Sequence, residues 1–225
     1  MFELRRPLVG ALLALCAGTA LASRSIAPPS FDDETAQTHQ TDQHLSMALW
    51  FTTESLRNIS AGLDLDPAAK KAFVASLKGY AIFGVVDVTL DGDKATVISA
   101  DHAALRASAR LRLGDRAPRA IVREEDLPAG VRIVAQTMRP LMAGMLGKFG
   151  DSMEFIVFSD ADEHGESLAD PRGGGGVTVS FDKEVFAWQL PLISLRPLRI
   201  DRATGDTFPG DYDFSPFTGH KLETK

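Results

Sequence analysis

The stretch from residue 153 to residue 192 constrains the fold most, because it holds the most regular alternation of apolar and polar residues in the chain. Residues 153–158 place apolar side chains on both faces of an extended chain, which is typical of a strand inside a sheet. Two alternating runs follow, 177–181 and 186–190, and a short polar turn joins them. This pattern predicts a β-hairpin with one apolar face, which includes Trp188.

The length and composition are those of a folded protein. The chain has 225 residues, of which 44% are hydrophobic and 24% are charged. That is enough for one large domain or two small ones with a real core. Disorder along the whole chain is therefore not the expectation.

The N-terminus has the features of a secretory signal. Arg5 and Arg6 precede an uncharged run over residues 8–22, which at about 15 residues is shorter than the roughly 20 needed to span a bilayer. The run ends in Ala20-Leu21-Ala22, a pattern that predicts a signal peptide over residues 1–22 with cleavage before Ser23. The sequence thus predicts a periplasmic or secreted protein without a transmembrane segment.

The single cysteine, Cys16, lies within this signal. Its removal would leave no thiol, which excludes disulfides and cysteine-ligated metals together. An alternative is a lipid anchor on Cys16, because Leu13-Ala14-Leu15-Cys16 begins like a bacterial lipobox, although Leu15 stands where a small residue is needed. The processed chain would carry 22 basic and 29 acidic side chains, a net charge of −7, so a nucleic-acid partner is not expected.

Before the first strand the sequence predicts a leader and two helices. Residues 23–42 lack a sustained apolar period, which indicates a flexible leader that orders, if at all, on the domain. Apolar residues then recur at helical steps from Leu45 to Ile59. A second helix should begin at Asp66-Pro67 and end near Gly79.

Strands should dominate residues 80–123. The sequence predicts strands over 80–90, 94–99, 105–113 and 117–123, with a turn at 91–93. For residues 101–107 a helix capped by Asp101 is the alternative. A long helix should follow, with Glu124, Glu125 and Asp126 at its start, Pro128 in its first turn and a kink at Pro140.

Seven strands around one long helix, preceded by two helices, predict an α+β fold. Its core is expected to be an antiparallel, immunoglobulin-like β-sandwich with the long helix inserted, because βαβ alternation is missing. The domain should span residues 43–198, and residues 199–225 should form a separate tail.

Three motifs suggest chemistry that the sequence does not complete. The run Gly173–Gly176 lacks the Lys-Ser/Thr pair and the helix of a phosphate loop, so a hairpin connection is predicted. Residues 160–165 begin like a calcium loop, but Pro171 occupies the place of the bidentate glutamate, which leaves a solvated loop or weak calcium binding. Gly150-Asp151-Ser152 resembles the Gly-Asp-Ser motif of a lipase and esterase family. That family also has an Asp-x-x-His motif near the C-terminus, which this sequence lacks.

An enzyme nevertheless remains the alternative function. A serine hydrolase would use Ser152, with His102, His164 or His220 brought within hydrogen-bond reach by the fold. No pair among these three histidines has the spacing of metal ligands on one element, so no metal is expected.

A basic stripe is the candidate binding surface. Arg106, Arg110 and Arg112 alternate along the strand predicted over residues 105–113 and would share one of its faces. An anionic envelope polymer or a lipid headgroup could bind there. The alternative is a solvated strand face whose arginines pair with neighbouring acids.

The tail contains two similar five-residue segments. Asp201-Arg202-Ala203-Thr204-Gly205 and Ser215-Pro216-Phe217-Thr218-Gly219 each have the pattern of a knuckle turn, with Asp201 and Ser215 where a zinc ribbon has cysteines. Together with Trp188-Gln189-Leu190-Pro191-Leu192, the tail resembles a family of exported bacterial proteins of unknown function. The resemblance covers the last third of the chain and implies export and a ribbon-like fold, but no activity. Zinc does not carry over, because both cysteine positions are lost.

The sequence therefore favours an exported, non-enzymatic binding or structural module of the bacterial cell envelope. No cofactor is expected, and the partner would be an anionic envelope component or another protein.

Overall fold

The structure, a computed structural model, describes residues 24–61, 66–91 and 96–225. The predicted signal peptide and Cys16 lie outside these ranges. The helices are α1 (Phe31–Thr35), α2 (Thr53–Ala61), α3 (Pro67–Ser76), α4 (His102–Ser108), α5 (Ala129–Leu146) and α6 (Lys148–Asp151). The strands are β1 (Ala36–Gln40), β2 (His44–Phe51), β3 (Tyr80–Asp91), β4 (Thr96–Ser99), β5 (Arg110–Leu113), β6 (Arg119–Ala120), β7 (Glu154–Ser159), β8 (Gly175–Phe181), β9 (Glu184–Leu190), β10 (Arg199–Ile200), β11 (Thr207–Phe208) and β12 (Glu223–Thr224).

Two antiparallel sheets form the body of the protein. The first has five strands, in which β1 pairs with β2, β2 with β3, and β3 with both β4 and β7. The second has four strands in the order β6-β5-β8-β9. The hairpin predicted over residues 177–190 is confirmed as β8 and β9.

An apolar cluster joins the two sheets. Trp50, Phe83 and Phe158 of the five-stranded sheet belong to the same buried cluster as Phe186 and Trp188 of the four-stranded sheet. Each of these residues lies at an alternate position of its strand, so one face of each sheet is apolar. The alternation of the sequence therefore determines which face each strand buries.

Helices cover the other face of the five-stranded sheet. Leu56 of α2 and Val131 and Met138 of α5 share a second cluster with Ile82 and Val157 of the sheet. Helix α3 meets α5 closely: a Cβ atom at Gly130 would lie 2.0 Å from Ser76 Oγ, so only glycine fits there. Both faces of the five-stranded sheet are thus buried.

The first predicted helix is wrong in its first half. Residues 44–51 form strand β2, and only α2 is helical, beginning at Thr53. Leu45, Leu49, Leu56 and Ile59 do recur at helical steps, but β2 is buried on one face and half-buried on the other, so its apolar residues show no period of two. Thr52 marks the change, because its hydroxyl accepts a hydrogen bond from Ser55 N at 3.0 Å.

The stretch expected as a flexible leader has regular structure. Residues 31–40 form α1 and β1, and β1 pairs with β2. Ahead of them, Ile26 N donates to Thr207 O at 3.0 Å, and Arg24 N donates to Asp206 Oδ1 at 3.0 Å. These partners lie more than 100 residues away, which is why local periodicity did not reveal them.

The strand predicted over residues 105–113 is also corrected. Residues 102–108 form α4, as the alternative proposed, and Asp101 caps the helix by accepting from Ala103 N at 2.8 Å. Only Arg110–Leu113 is extended. The strand predicted over 117–123 is reduced to Arg119–Ala120. The alanines of this stretch fit the period of a strand as well as that of a helix. The cap at Asp101 favours the helix.

The long helix is confirmed as α5, after a 3₁₀ turn over Glu124–Asp126. Pro140 lies within it, and the kink stays a prediction. Elsewhere, Asp66 caps α3 as expected. No helix among the described residues is long and apolar enough to cross a membrane.

The structure is mixed α and β with several antiparallel sheets, in agreement with the predicted α+β class. The immunoglobulin-like sandwich stays a prediction. The helices on the outer face of the five-stranded sheet add a third layer to the two sheets.

The tail forms a small sheet of its own, in the order β11-β10-β12. Both knuckle turns are present: Gly205 N donates to Asp201 O at 2.7 Å, and Gly219 N donates to Ser215 O at 2.8 Å. Gly205 and Gly219 have φ values of 80° and 74°, which glycine adopts without strain.

Candidate functional site

A cleft lined by arginines lies between α4, α5 and β7. We call it the arginine cleft; its volume is about 160 Å³. Its polar lining consists of Arg106, Glu124, Arg132, Gln136, Arg139 and Glu154. Its apolar lining consists of Val122, Leu127, Ala135, Phe155 and Val157.

Glu154 is the centre of this cleft. The residue is 7% exposed, and the carboxylate faces three basic side chains. Arg106 Nη1 donates to Oε1 at 2.6 Å, His102 Nδ1 lies 3.1 Å from Oε2, and Arg139 Nη2 lies 3.5 Å from the same oxygen. A buried carboxylate needs such partners, because an unpaired charge is costly to remove from water.

Two of the arginines are fixed further by the backbone of β7. Arg106 Nη1 also donates to Phe155 O at 3.2 Å, and Arg139 Nη1 donates to Met153 O at 3.3 Å. The Arg139 guanidinium carbon lies 5.8 Å from the centre of the Phe155 ring, within cation–π distance. Each guanidinium has five N–H donors, so donors remain after these contacts.

Arg132 differs from the other two. It is exposed, and within the described part of the chain it makes no ion pair. With three arginines against Glu124 and Glu154, the lining carries one net positive charge. An anion of modest size with an apolar part is the ligand chemistry that such a lining favours.

Local sequence explains how these side chains meet. The buried stripe of α5 includes Val131, Val134 and Met138. Arg132 and Arg139 are seven residues apart, two helical turns, so they share the flank of α5 next to that stripe. The Asp101 cap starts α4, whose last turn carries Arg106.

The predicted stripe of Arg106, Arg110 and Arg112 does not share one strand face, which is a correction to the sequence prediction. Arg106 lies on α4 and reaches the arginine cleft, whereas Arg110 and Arg112 lie on β5. The two strand residues line a groove on the four-stranded sheet with Pro118, Thr178, Ser180 and Val185. In the described chain neither pairs with an acid, and Arg110 donates to Ala107 O at 2.8 Å and to Ala109 O at 2.7 Å.

Ser152 does not meet a histidine. Its hydroxyl donates to Lys148 O at 2.9 Å and accepts from Ser99 Oγ at 2.6 Å. Among the described residues, the candidate bases contact acids instead: His102 faces Glu154, His164 faces Glu163 and His220 faces Asp201. Nothing in this arrangement would accept the proton of the Ser152 hydroxyl.

The glycine run is not the hairpin connection that the sequence predicted. Gly173 and Gly174 lie in the segment that leads from β7 in one sheet to β8 in the other, and Gly175 begins β8. The turn between the strands of the hairpin is instead at Asp182, with φ 48°.

The calcium-like loop is closed by its own hydrogen bonds. Asp162 Oδ1 accepts from His164 N and Glu166 N, each at 2.8 Å, and these bonds lower the pKa of Asp162. Asp160 is buried against Ser167 and Ala169, and burial raises the pKa of its carboxyl. Among the described residues no group of three or more His, Cys, Asp or Glu side chains is arranged to hold a metal.

Two histidines, His39 in the expected leader and His44 just after it, connect the sheets. His39 Nδ1 lies 2.7 Å from Glu184 Oε2, and His44 Nε2 lies 3.6 Å from Glu184 Oε1. His44 Nε2 also lies 3.2 Å from Asp87 Oδ1 of the neighbouring strand β3. Burial raises the pKa of Asp87, against the attraction of His44. These pairs hold β1 and β2 against the turn of the hairpin.

In the tail, the two knuckle turns are joined without metal. Asp201 is 1% exposed, and its Oδ2 accepts from Thr218 Oγ1 at 2.7 Å. Its Oδ1 accepts from Ala203 N at 2.9 Å and lies 3.3 Å from His220 Nδ1. Ser215 Oγ accepts from Phe217 N and Thr218 N at 3.4 and 3.3 Å.

Comparison with protein families, with curated proteins and with solved structures found no match. The suspected family of exported proteins therefore stays a prediction.

Sequence reasoning found Arg106 but missed Arg132, Arg139 and Glu154. A signal was present, since Glu154 is the one charged residue in an otherwise apolar strand. A charge in such a position requires basic partners. The sequence alone does not show that the basic partners of Glu154 come from α4 and α5.

Proposed function

We propose that this protein is an exported, non-enzymatic binding module of the bacterial cell envelope that holds an anionic ligand in the arginine cleft. The observation that carries the proposal is the guanidinium of Arg132, which forms no ion pair within the described residues, beside two arginines that Glu154 fixes in place. Preorganised arginines lose little side-chain entropy when they bind an anion, which favours affinity.

A binding role is also supported by what the arrangement lacks as a catalyst. In the part of the chain that the structure describes, Ser152 hydrogen-bonds to Ser99 and Lys148 O and not to a histidine, and the guanidinium groups of the cleft donate hydrogen bonds but accept none. The cleft can bind and orient an anion, and of its two carboxylates Glu154 is already paired with Arg106 and Arg139.

The proposed location rests on the sequence. Arg5, Arg6 and the apolar run that ends at Ala22 support secretion into the periplasm or the medium, with a lipid anchor at Cys16 as the alternative. An immunoglobulin-like sandwich is the fold we propose for the two sheets, and their shared apolar cluster supports it.

A titration with inorganic phosphate, followed by ¹H–¹⁵N chemical shifts, tests the cleft. We expect saturable shifts at residues around Glu154 and Phe155 that weaken as salt is raised. Arg132→Gln should weaken phosphate binding about tenfold, since a hydrogen bond to a charged group contributes about 1.5–3 kcal/mol.

Arg112→Gln is the matched control. Arg112 lies on the four-stranded sheet, is exposed, and has no acidic partner among the described residues. Its phosphate affinity should equal that of the unchanged protein. If Arg112→Gln weakens binding and Arg132→Gln does not, the anion binds the groove on the four-stranded sheet, and the cleft proposal is wrong.

A further inference from the structure

The helices that cover the five-stranded sheet differ in charge from the rest of the protein. Helices α2, α3 and α5 contain five basic residues and one acidic residue, a net charge of +4 in a chain with a net charge of −6. The basic residues are Arg57, Lys70, Lys71, Arg132 and Arg139. The one acid, Glu54, pairs with Arg172 at 2.9 Å.

The same helices expose apolar side chains. On α5, Ile133 is 52% exposed, Leu141 44% and Met145 68%. Ile59 of α2 is also exposed. Ile133 lies opposite the buried stripe of α5, whereas Leu141 and Met145 follow Met138 and Met142 by three residues and lie at the edge of that stripe. Ile133 is therefore the apolar residue of α5 that the packing of the fold leaves unexplained.

Geometry places apolar and basic residues on one layer. The buried stripes of α2 and α5 belong to one cluster on the sheet, and α3 meets α5 at Gly130. The opposite sides of these helices therefore face outward together. Ile133 lies on this outward side of α5, whereas Arg132 and Arg139 lie on its flank.

We infer that this helical face, defined by the exposed residues of α2, α3 and α5, docks on an anionic lipid membrane. Charge complementarity is the argument for this occupant: a cationic surface on an acidic protein selects an anionic partner, and exposed Ile, Leu and Met side chains suit the acyl boundary of a bilayer. Helix α5, with Ile133 outward and Arg132 and Arg139 on its flank, can lie in the plane of the interface.

The apolar part of this inference does not depend on the arginine cleft, although Arg132 and Arg139 belong to both surfaces. A headgroup could reach the arginines of α5, but the apolar residues that enter the bilayer line no part of that cleft. The membrane could also be bound when the cleft is empty.

Sedimentation with vesicles tests the inference. The purified protein should bind vesicles that contain phosphatidylglycerol and should bind phosphatidylcholine vesicles far more weakly. Ile133→Glu should reduce binding to the anionic vesicles about tenfold by removing an inserted apolar group. Lys71→Glu should reduce binding to the anionic vesicles about fivefold or more. High salt should reduce the remaining binding of both variants.

Matched controls exist elsewhere on the chain. Ile98 is 55% exposed, and its strand partner is Thr89, on the side of the sheet away from the helices, so Ile98→Glu should bind as the unchanged protein does. Lys183, in the turn before β9, provides the same control for charge through Lys183→Glu. Any effect of residues 1–22 is common to all variants. Circular dichroism establishes that each variant is folded.

Three results would overturn the inference. The first is equal binding to anionic and neutral vesicles. The second is equal loss in Ile98→Glu and Ile133→Glu. The third is a dimer in solution that Ile133→Glu converts to a monomer, because a second copy would then cover the face. If one of these results overturns the membrane inference, phosphate binding that persists in Ile133→Glu would show that the cleft proposal still holds.

Discussion

Thr218 donates a 2.7 Å hydrogen bond to the buried carboxylate of Asp201 and so joins the two knuckle turns of the tail. In a zinc ribbon a metal ion joins such turns through cysteines. Here a charge-assisted hydrogen bond connects the same two positions of the chain. The tail is held by this bond and by apolar packing, in which the Phe208 ring lies 5.9 Å from that of Phe217.

Thr218→Val should loosen the tail, because valine keeps the shape of threonine but cannot donate to Asp201. We expect amide hydrogen exchange at Gly205 and Gly219 to become about tenfold faster, the effect of losing a hydrogen bond to a charged group. Thr224→Val, at an exposed position of β12, should leave both rates unchanged. Equal rates in all three proteins would show that the bond does not stabilise the tail.

The tail should lose stability only in acid. The hydrogen bond from Thr218 is the main cause of the low pKa of Asp201, and the Ala203 amide and His220 contribute. A carboxyl whose folded pKa is depressed stabilises the fold above its unfolded pKa of about 3.9, and this stability is lost as the pH falls through the folded pKa. The chemical shift of the Asp201 carboxyl carbon should therefore report no protonation of this group down to about pH 5 and should change below about 4. In Asp201→Asn this acid transition should be absent.

We predict that the purified protein contains no stoichiometric zinc. Asp201 and Ser215 stand at the cysteine positions of the ribbon pattern, and hydrogen bonds already occupy their oxygens. Elemental analysis is the measurement. A zinc ion per chain that a chelator removes, with loss of tail structure, would contradict the prediction.

Trp188→Ala should lower the free energy of unfolding by about 3–5 kcal/mol through lost burial and a cavity. The side chain is buried, its ring lies 5.8 Å from Trp50 and 5.7 Å from Phe83, and its Nε1 donates to Glu34 O at 3.0 Å. Urea unfolding measures the change. Val185→Ala, at an exposed position on the same strand, should cost less than about 0.5 kcal/mol. A loss below about 1 kcal/mol in Trp188→Ala would mean that the indole does not join the two sheets.

Export should be accompanied by cleavage after Ala22. The intact mass of protein from the cell-envelope fraction should correspond to a chain that begins at Ser23 and lacks cysteine. A mass that corresponds to a diacylated Cys16 at the N-terminus would replace cleavage with lipid anchoring.

The sequence predicted most clearly the elements whose burial is one-sided. The hairpin of β8 and β9 and helix α5 each have a single apolar face, so the period of the apolar residues matches the period of the backbone. Strands β3 and β7 were also predicted, although both of their faces are buried. The cap at Asp66 correctly predicted the start of α3, whereas the cap at Asp101 supported a helix that the sequence offered only as the alternative to a strand. Strand β2 was missed because Leu45, Leu49, Leu56 and Ile59 recur at helical steps across its end. Helix α1 and strand β1 were missed because part of their contacts come from far along the chain: Ser194 N donates to Glu34, and Gln37 Nε2 donates to Ala187 O.

The sequence also predicted only part of the candidate site. Arg106 and the charge on Glu154 are visible in the sequence, as is the replacement of cysteine by Asp201 and Ser215 in the tail. Only the tertiary structure brings Arg106, Arg132 and Arg139 to one carboxylate and separates Arg106 from Arg110 and Arg112. The physical reason is that a repeat in the sequence determines which face of an element is buried, whereas packing between elements far apart in the chain determines which faces meet.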